Sequence, residues 1–176
     1  MAKLVINIIG APGTRKSTTA FALFAELKKR ALNCEMASEV AKEYVFEDNK
    51  SAMEYQLIVW AQQAYRLWCV ARYADVVITD VSLLTGMIYV PDASISFCQV
   101  VLDEHHKYCN LNILMPFHED DDTYTMVGRV HNFQESKIIH EQILDLFEVH
   151  NIPHIKFEDY IEGEIISLIL EALEEI

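Results

Sequence analysis

A strand that runs directly into a glycine loop and then a helix is the feature that most constrains this fold. Residues 4–10, LVINIIG, form an almost unbroken apolar run, typical of a strand buried on both faces of a parallel sheet. From Ser17 to about Ala31 the apolar residues recur at helical spacing, and cations close the last turn, where they suit the helix dipole. This order predicts a parallel sheet connected by crossover helices.

The loop between the strand and the helix matches the phosphate-binding pattern G-x-x-x-x-G-K-[ST], except that its second glycine position holds an arginine. In such a loop the backbone N–H groups bind phosphate, the lysine adds a positive charge at the β- and γ-phosphates, and the hydroxyl ligates Mg²⁺. We therefore expect ATP and Mg²⁺ to bind here. The residues expected at the nucleotide are Gly10, Ala11, Pro12, Gly13, Thr14, Arg15, Lys16, Ser17 and Thr18.

Arg15 is the departure from the pattern. Glycine suits this position because the backbone passes close to the phosphates and can need dihedral angles that a Cβ penalises by roughly 1–2 kcal/mol. A fold tolerates a penalty of that size, so we expect a working nucleotide site. The alternative is a non-catalytic ATP-binding or regulatory module in which Arg15 has abolished turnover.

The remaining apolar runs alternate with helical stretches, which predicts one α/β domain over residues 1–176 with a doubly wound sheet of about five parallel strands. Further strands are predicted at 33–39, 75–80, 111–116 and 154–158, and later helices at 133–150 and 160–175. A long helix is expected from Ser51, with Glu54 as its capping-box partner and an apolar stripe of Met53, Leu57, Trp60, Ala61, Ala64, Leu67, Trp68 and Ala71. Residues 116–131 have little periodicity and predict a lid-like loop.

Charged side chains follow several of these strands, and ligands of such sheets bind at the carboxyl ends of the strands. Asp80 is placed to hold Mg²⁺ together with Ser17. Glu39 could accept the proton of an acceptor hydroxyl, and Arg129 could close over the transferring phosphoryl group. The plainer alternatives are a helix N-cap for Glu39 and a surface charge for Arg129.

Composition limits the partners. With 27 acidic against 14 basic residues the net charge is −13, which disfavours a nucleic-acid groove and leaves room for a small phosphate ligand. No apolar run is long enough for a membrane span. Four scattered cysteines suit a reducing compartment, so a cytoplasmic protein is expected. Cys98, His105, His106 and Cys109 match no common zinc spacing.

Several segments together resemble a group of small P-loop kinases that includes ribosylnicotinamide kinase and ATP-binding proteins of bacteriophages. They are GAPGTRKSTTAFALFAELKKR from residue 10, SEVAKEY (38–44), VVITDVSLL (76–84) and GRVHNFQES (128–136). The resemblance implies ATP, Mg²⁺ and phosphoryl transfer to a nucleoside or nucleotide-like acceptor, and we expect the group that accepts the phosphoryl to be a hydroxyl or a phosphate. It also implies that Glu39 lies at the acceptor site, Asp80 at a Walker B-like position and Arg129 in a lid.

The acceptor is expected over residues 38–73, where Tyr44, Tyr55, Gln62 and Arg66 could stack on a base or bind it by hydrogen bonds. Three of these residues recur at intervals of seven and four, which would place them on one stripe of the long helix. A rival acceptor is a hydroxymethylated base within DNA, which the net charge disfavours.

Lys16→Ala tests the phosphate loop. The lysine charge acts more strongly on the transition state than on bound ATP, so kcat should fall on the order of 100-fold or more. Steady-state kinetics with the wild-type protein as reference measures the change. Activity within about threefold of wild type would remove the loop from the reaction.

Overall fold

The computed structural model of the protein describes residues 4–117, 130–157 and 162–174. Five parallel strands form one sheet in the order β2-β3-β1-β4-β5. The chain thus starts at the centre of the sheet, builds one side and then the other, as a doubly wound α/β fold does. The strands are β1 (Leu4–Ile9), β2 (Cys34–Met36), β3 (Val76–Thr79), β4 (Cys109–Leu114) and β5 (Ile155–Lys156). The predicted fold class is confirmed.

Strand β1 is buried along its whole length because both faces of the sheet are covered. Its side chains alternate between the two faces. Ile6 and Ile8 pack in a cluster with Leu23 of the following helix and Ile169 near the carboxyl end of the chain. Val5 packs on the opposite side, against Leu67 and Ala71. This two-sided burial explains why the strand reads as a continuous apolar run.

Helices cover both faces of the sheet. The first and last helices contribute to one apolar cluster, and the helices between them contribute to two clusters on the other side. Their bounds are α1 (Lys16–Lys29), α2 (Val40–Phe46), α3 (Lys50–Glu54), α4 (Gln56–Ala71), α5 (Gly86–Tyr89), α6 (Ile95–His105), α7 (Phe133–Val149) and α8 (Glu162–Glu174).

The long helix expected from Ser51 is two helices, so that prediction is wrong. Asn49, not Ser51, caps α3, and its side chain accepts a hydrogen bond from the Ala52 amide at 3.2 Å. Tyr55, with φ −102° and ψ 74°, separates α3 from α4. The buried stripe of α4 is also rotated from the predicted one, since Leu57 and Trp68 are exposed. Its buried residues are Val59, Gln63, Leu67 and Ala71.

Three helices of the described residues, α2, α5 and α6, are not predicted from the sequence. Helix α2 follows directly on the second strand, and α6 begins after Ser94, whose hydroxyl accepts a hydrogen bond from the Phe97 amide at 3.2 Å. The predicted lid falls mostly on residues 118–129, outside the described part of the chain. No helix of the described residues is long and apolar enough to cross a membrane.

Gly86 marks a close approach between α4 and α5. A Cβ at this position would lie 2.3 Å from Cδ1 of Trp60. The indole has little freedom to move, because its N–H donates to the Leu83 carbonyl at 3.1 Å and its ring meets Phe97 edge-on at 5.1 Å. Trp60 can therefore occupy this position because residue 86 is a glycine, which has no side chain to contact the indole.

Gly86→Ala should lower the free energy of unfolding by roughly 1–3 kcal/mol, as expected when a group is forced into a filled space. Urea unfolding measures the loss, and tryptophan fluorescence reports the displaced indole. Gly163→Ala in α8 is the matched control, since among the described residues no atom beyond its chain neighbours and its own helix backbone lies within 4 Å of the added Cβ. Alanine should there stabilise the helix by about 0.5–1 kcal/mol. Equal stability of wild type and Gly86→Ala would contradict this account of the packing.

Candidate functional site

The loop between β1 and α1 has the shape of a phosphate cradle. Gly10 leaves room for the loop to fold back, because a Cβ there would lie 2.5 Å from the hydroxyl oxygen of Thr14. The Thr14 hydroxyl in turn donates to the Ala11 carbonyl at 2.9 Å. Gly13 has φ 93°, a conformation that favours glycine. The loop thus turns its backbone towards the start of α1, where N–H groups and the helix dipole attract anions.

Arg15 adopts the left-handed conformation, with φ 61° and ψ 22°, immediately before the first residue of α1. This is the backbone geometry that glycine takes without penalty. The structure therefore explains why glycine is usual at this position, and it shows an arginine accommodated there. The carbonyl of Arg15 still accepts the Thr19 amide at 3.0 Å, as the first turn of the helix requires.

Asp80 joins three separate segments at the carboxyl edge of the sheet. It follows β3 and is 2% exposed. One carboxylate oxygen accepts the Ser17 hydroxyl at 2.6 Å, and the other accepts the Glu39 amide at 3.0 Å. The start of α1, the end of β3 and the start of α2 therefore meet at this one side chain.

The Ser17 and Asp80 pair suits Mg²⁺. A hydroxyl and a carboxylate are oxygen ligands of the kind that Mg²⁺ prefers, and Mg²⁺ characteristically adds phosphate oxygens and water to one or two protein ligands. These two residues would hold the ion beside the phosphate loop. No group of three or more His, Cys, Asp or Glu side chains with metal-binding geometry occurs in the described ranges.

Glu39 is half-buried at the start of α2, where it occupies the N-cap position without a side-chain cap hydrogen bond. Burial raises the pKa of its carboxyl, and the charge of Asp80 adds to that effect. The positive charges of Lys16 and Lys42 act in the opposite direction. The carboxyl of Glu39 thus lies among the charged groups of the phosphate loop and is not consumed by capping its own helix.

A cleft of about 290 Å³ connects the phosphate loop to an apolar chamber. Its charged end is lined by Arg15, Lys16 and Lys42, with Glu39 beside them. The other end is lined mainly by apolar side chains, among them Val45, Met53, Val59, Trp60 and Tyr89. An apolar chamber that opens onto a few charged groups is the usual form of a small-molecule site.

The residues predicted for the acceptor are not brought together by the structure. Tyr44 lines a second cavity, of about 570 Å³, which shares several wall residues with the cleft. Tyr55 is exposed at the break between α3 and α4, so the shared helical stripe proposed for it is wrong. Gln62 is exposed on α4. Arg66 donates to both carboxylate oxygens of Glu43, at 2.8 and 2.7 Å, and to the Ser38 carbonyl. Tyr55, Gln62 and Arg66 line neither of the two cavities.

Two residues that line the cleft, Gln63 and Lys42, and one that supports the phosphate loop from outside it, Ser136, were missed by the sequence analysis. Gln63, one position from the expected Gln62, accepts the Val40 amide at 2.9 Å and so fixes the start of α2. Ser136 of α7 donates to the Pro12 carbonyl at 2.5 Å and holds the phosphate loop from a distant part of the chain. Lys42 lies in SEVAKEY, a segment quoted for its resemblance, but nothing in that segment singles it out. Arg129, predicted for the lid, lies outside the described residues.

Residues 5–162 match the family described as an AAA domain, so the chain belongs to that family. A search of curated proteins finds no match.

Solved structures with a similar fold include several kinases. Deoxyadenosine kinase from M. mycoides, with dCMP and dCDP bound, is 16% identical with a TM-score of 0.62, over 98% of this chain and 100% of that one. Thymidylate kinase from Ehrlichia chaffeensis is 12% identical with a TM-score of 0.62, over 98% and 100%. NadR in complex with NR is 16% identical with a TM-score of 0.66, over 97% of this chain but 51% of that one. At these identities the likeness establishes a P-loop fold.

Arg15→Gly and Arg15→Ala together test what Arg15 does in the loop. If the loop only tolerates this residue, Arg15→Gly should bind a non-hydrolysable ATP analogue as well as wild type or better, because glycine reaches φ 61° without strain. Arg15→Ala keeps the strain and removes the guanidinium. Calorimetric titration measures both affinities. A drop of about tenfold or more in both variants would instead assign a phosphate contact to the guanidinium.

Proposed function

We propose that the protein transfers the γ-phosphoryl group of ATP, with Mg²⁺, to a hydroxyl of a small nucleoside or nucleotide-like acceptor. The observation that carries this proposal is that the buried Asp80 carboxylate bonds to the Ser17 hydroxyl and to the Glu39 backbone amide, and that Ser17 and Glu39 line the cleft. The kinases of similar fold act on ligands of this class according to their names, which supports the same direction.

The chemistry assigns a task to each group. The acceptor oxygen forms a bond to the γ-phosphorus while the bond from that phosphorus to the β,γ-bridging oxygen breaks, which releases ADP. The hydroxyl proton passes to the carboxylate of Glu39. Lys16 and the loop N–H groups stabilise negative charge on the phosphates. Mg²⁺, held by Ser17 and Asp80, would neutralise charge that develops on the β- and γ-oxygens.

The raised pKa of Glu39 suits a general base, because a base works best when its pKa approaches the operating pH. The carboxylate also interacts with the charges of Lys16 and Lys42, which supports a role for it near the transferring phosphate. The apolar walls would hold the acceptor in position and exclude water, which would otherwise compete as the acceptor.

The location of positive charge in the cleft supports a phosphate substrate. The chain carries a net charge of −13, yet Arg15, Lys16 and Lys42 all line the same end of the cleft. Cations gathered in one cleft of an acidic protein focus the field there and favour anions at that point. The remaining surface disfavours a polyanion such as DNA, which supports a small acceptor over a base within a duplex.

A coupled assay of ATP consumption tests the proposal over nucleosides, nucleoside monophosphates and nicotinamide riboside. We expect at least one acceptor to raise ADP formation about tenfold or more above the acceptor-free rate, and mass spectrometry should detect the phosphorylated product. ATP binding without ADP formation across the whole panel would overturn the proposal and favour the non-catalytic ATP-binding module.

Glu39→Gln should have opposite effects on activity and on stability. The change removes the base, so kcat should fall roughly 100- to 10,000-fold. Because burial raises the pKa of Glu39, the folded protein binds this proton more tightly than the unfolded chain, and ionisation destabilises the fold. The variant should therefore unfold at a higher temperature than wild type at pH 8.

The same linkage predicts how the difference in unfolding temperature between Glu39→Gln and wild type depends on pH. Below the ordinary pKa of glutamate, about 4.3, the carboxyl is protonated in both states, so the two unfolding temperatures should converge. Glu47→Gln, at the exposed end of α2, is the matched control and should leave both activity and unfolding temperature nearly unchanged. A lower unfolding temperature for Glu39→Gln at pH 8 would make Glu39 a structural residue.

A further inference from the structure

The ammonium group of Lys42 rests on the hydroxyl that faces the expected metal site. Its Nζ donates to the Ser17 Oγ at 2.8 Å, and the same hydroxyl donates to the Asp80 carboxylate at 2.6 Å. Lys42 projects from α2 and is half-buried, so this contact lies inside the cleft and not on the outer surface. A positive charge thus stands next to the oxygen that a metal ion would use.

This arrangement differs from an ordinary ion pair. In the described part of the chain, Lys42 has no carboxylate at ion-pair distance, although Lys28, Lys50 and Lys107 each have one. Its hydrogen-bond partner is a neutral hydroxyl that is already bonded to Asp80. A half-buried ammonium whose hydrogen-bond partner among the described residues is one neutral hydroxyl retains much of its capacity to bind an anion.

Two cations cannot share Ser17 at low energetic cost. A divalent ion on Ser17 Oγ would lie within a few ångströms of the ammonium, where the repulsion of like charges is large in a half-buried site. The ammonium must therefore leave the hydroxyl when Ser17 and Asp80 bind a metal. The anions within its cleft are then the phosphates of the nucleotide and Glu39, whose charge already interacts with that of Lys42.

We propose that Lys42 is a further cation of the phosphoryl-transfer site, which rests on Ser17 Oγ in the absence of metal and pairs with the nucleotide phosphates. This inference rests on the proposed function for its catalytic part. In the absence of metal, Lys42 supplies positive charge to the phosphates from the position next to Asp80. With metal bound, it moves off Ser17 and stabilises negative charge on the transferring group. It neither gains nor loses a proton in the reaction.

Nucleotide binding with and without Mg²⁺ tests this role without any turnover. The affinity for a non-hydrolysable ATP analogue is measured by calorimetry in excess Mg²⁺ and in EDTA for wild type, Lys42→Met and Lys42→Arg. Loss of the lysine should weaken binding most where no metal replaces its charge. We expect the ratio of Kd in EDTA to Kd in Mg²⁺ to rise roughly tenfold in Lys42→Met and to return towards the wild-type value in Lys42→Arg.

A merely structural role would change both affinities by the same factor, so an unchanged ratio in Lys42→Met would overturn the proposal. Lys29→Met is the matched control, because Lys29 lies in the last turn of α1 and is largely exposed. It removes the same charge and should leave the ratio unchanged. A rise of the ratio in both variants would show an effect of net charge alone and would also overturn the proposal.

Measurements of kcat distinguish a failure of this inference from a failure of the proposed function. If the wild-type protein phosphorylates an acceptor, kcat of Lys42→Met should fall at least about tenfold, and Lys42→Arg should restore part of it. Full kcat in Lys42→Met would remove the catalytic part of the inference. If the wild-type protein phosphorylates no acceptor, the proposed function fails, whereas the ratio of affinities still decides whether Lys42 pairs with the phosphates.

Discussion

The hydrogen bond between the Ser17 hydroxyl and the Asp80 carboxylate is the contact on which the site depends. It joins the first turn of α1 to the end of β3 at 2.6 Å, and the second oxygen of Asp80 fixes the start of α2 through the Glu39 amide. Because Asp80 is buried, these bonds to it are largely shielded from competing water. The phosphate loop, the candidate metal ligands and the candidate base are thereby set relative to one another by one side chain.

The cleft gathers positive charge in a protein that is acidic overall. Arg15, Lys16 and Lys42 line its charged end in a protein of net charge −13. Glu39 and Asp80 lie among these cations, and burial raises the pKa of Glu39. Such a mixture of buried carboxyls and cations is costly to fold around. It is expected where phosphate groups and a divalent ion enter to complete the balance of charge.

Much of the fold could be predicted because parallel strands that are buried on both faces appear in the sequence as continuous apolar runs. Strands β1 and β3 are buried along most of their length, so each appears as an apolar run. Strand β4 is buried in its second half, from Asn112 to Leu114, which overlaps the run predicted at 111–116. The spacing of Gly10, Lys16 and Ser17 identified the phosphate loop, and the positive φ of Arg15 follows from the position it occupies in that loop. Asp80 was predicted as a ligand of Mg²⁺ because it follows a buried strand at the carboxyl edge of the sheet.

The acceptor side could not be predicted in the same way. The apolar spacing from residue 51 to 71 runs through the break at Tyr55, which depends on local backbone angles and leaves no apolar gap. The buried stripe of α4 contains Gln63 and not Gln62, and one residue turns a helix by about 100°. Lys42 could not be predicted from the sequence, because its contact with Ser17 forms when α2 packs against the phosphate loop.

The most direct test is a crystal structure of the protein with Mn²⁺ and a non-hydrolysable ATP analogue, in which anomalous scattering locates the metal. The account predicts a manganese peak at Ser17 Oγ and the Asp80 carboxylate, reached directly or through water, with the analogue phosphates on the loop of residues 10–17. A metal elsewhere in the molecule, or phosphates bound away from that loop, would contradict it.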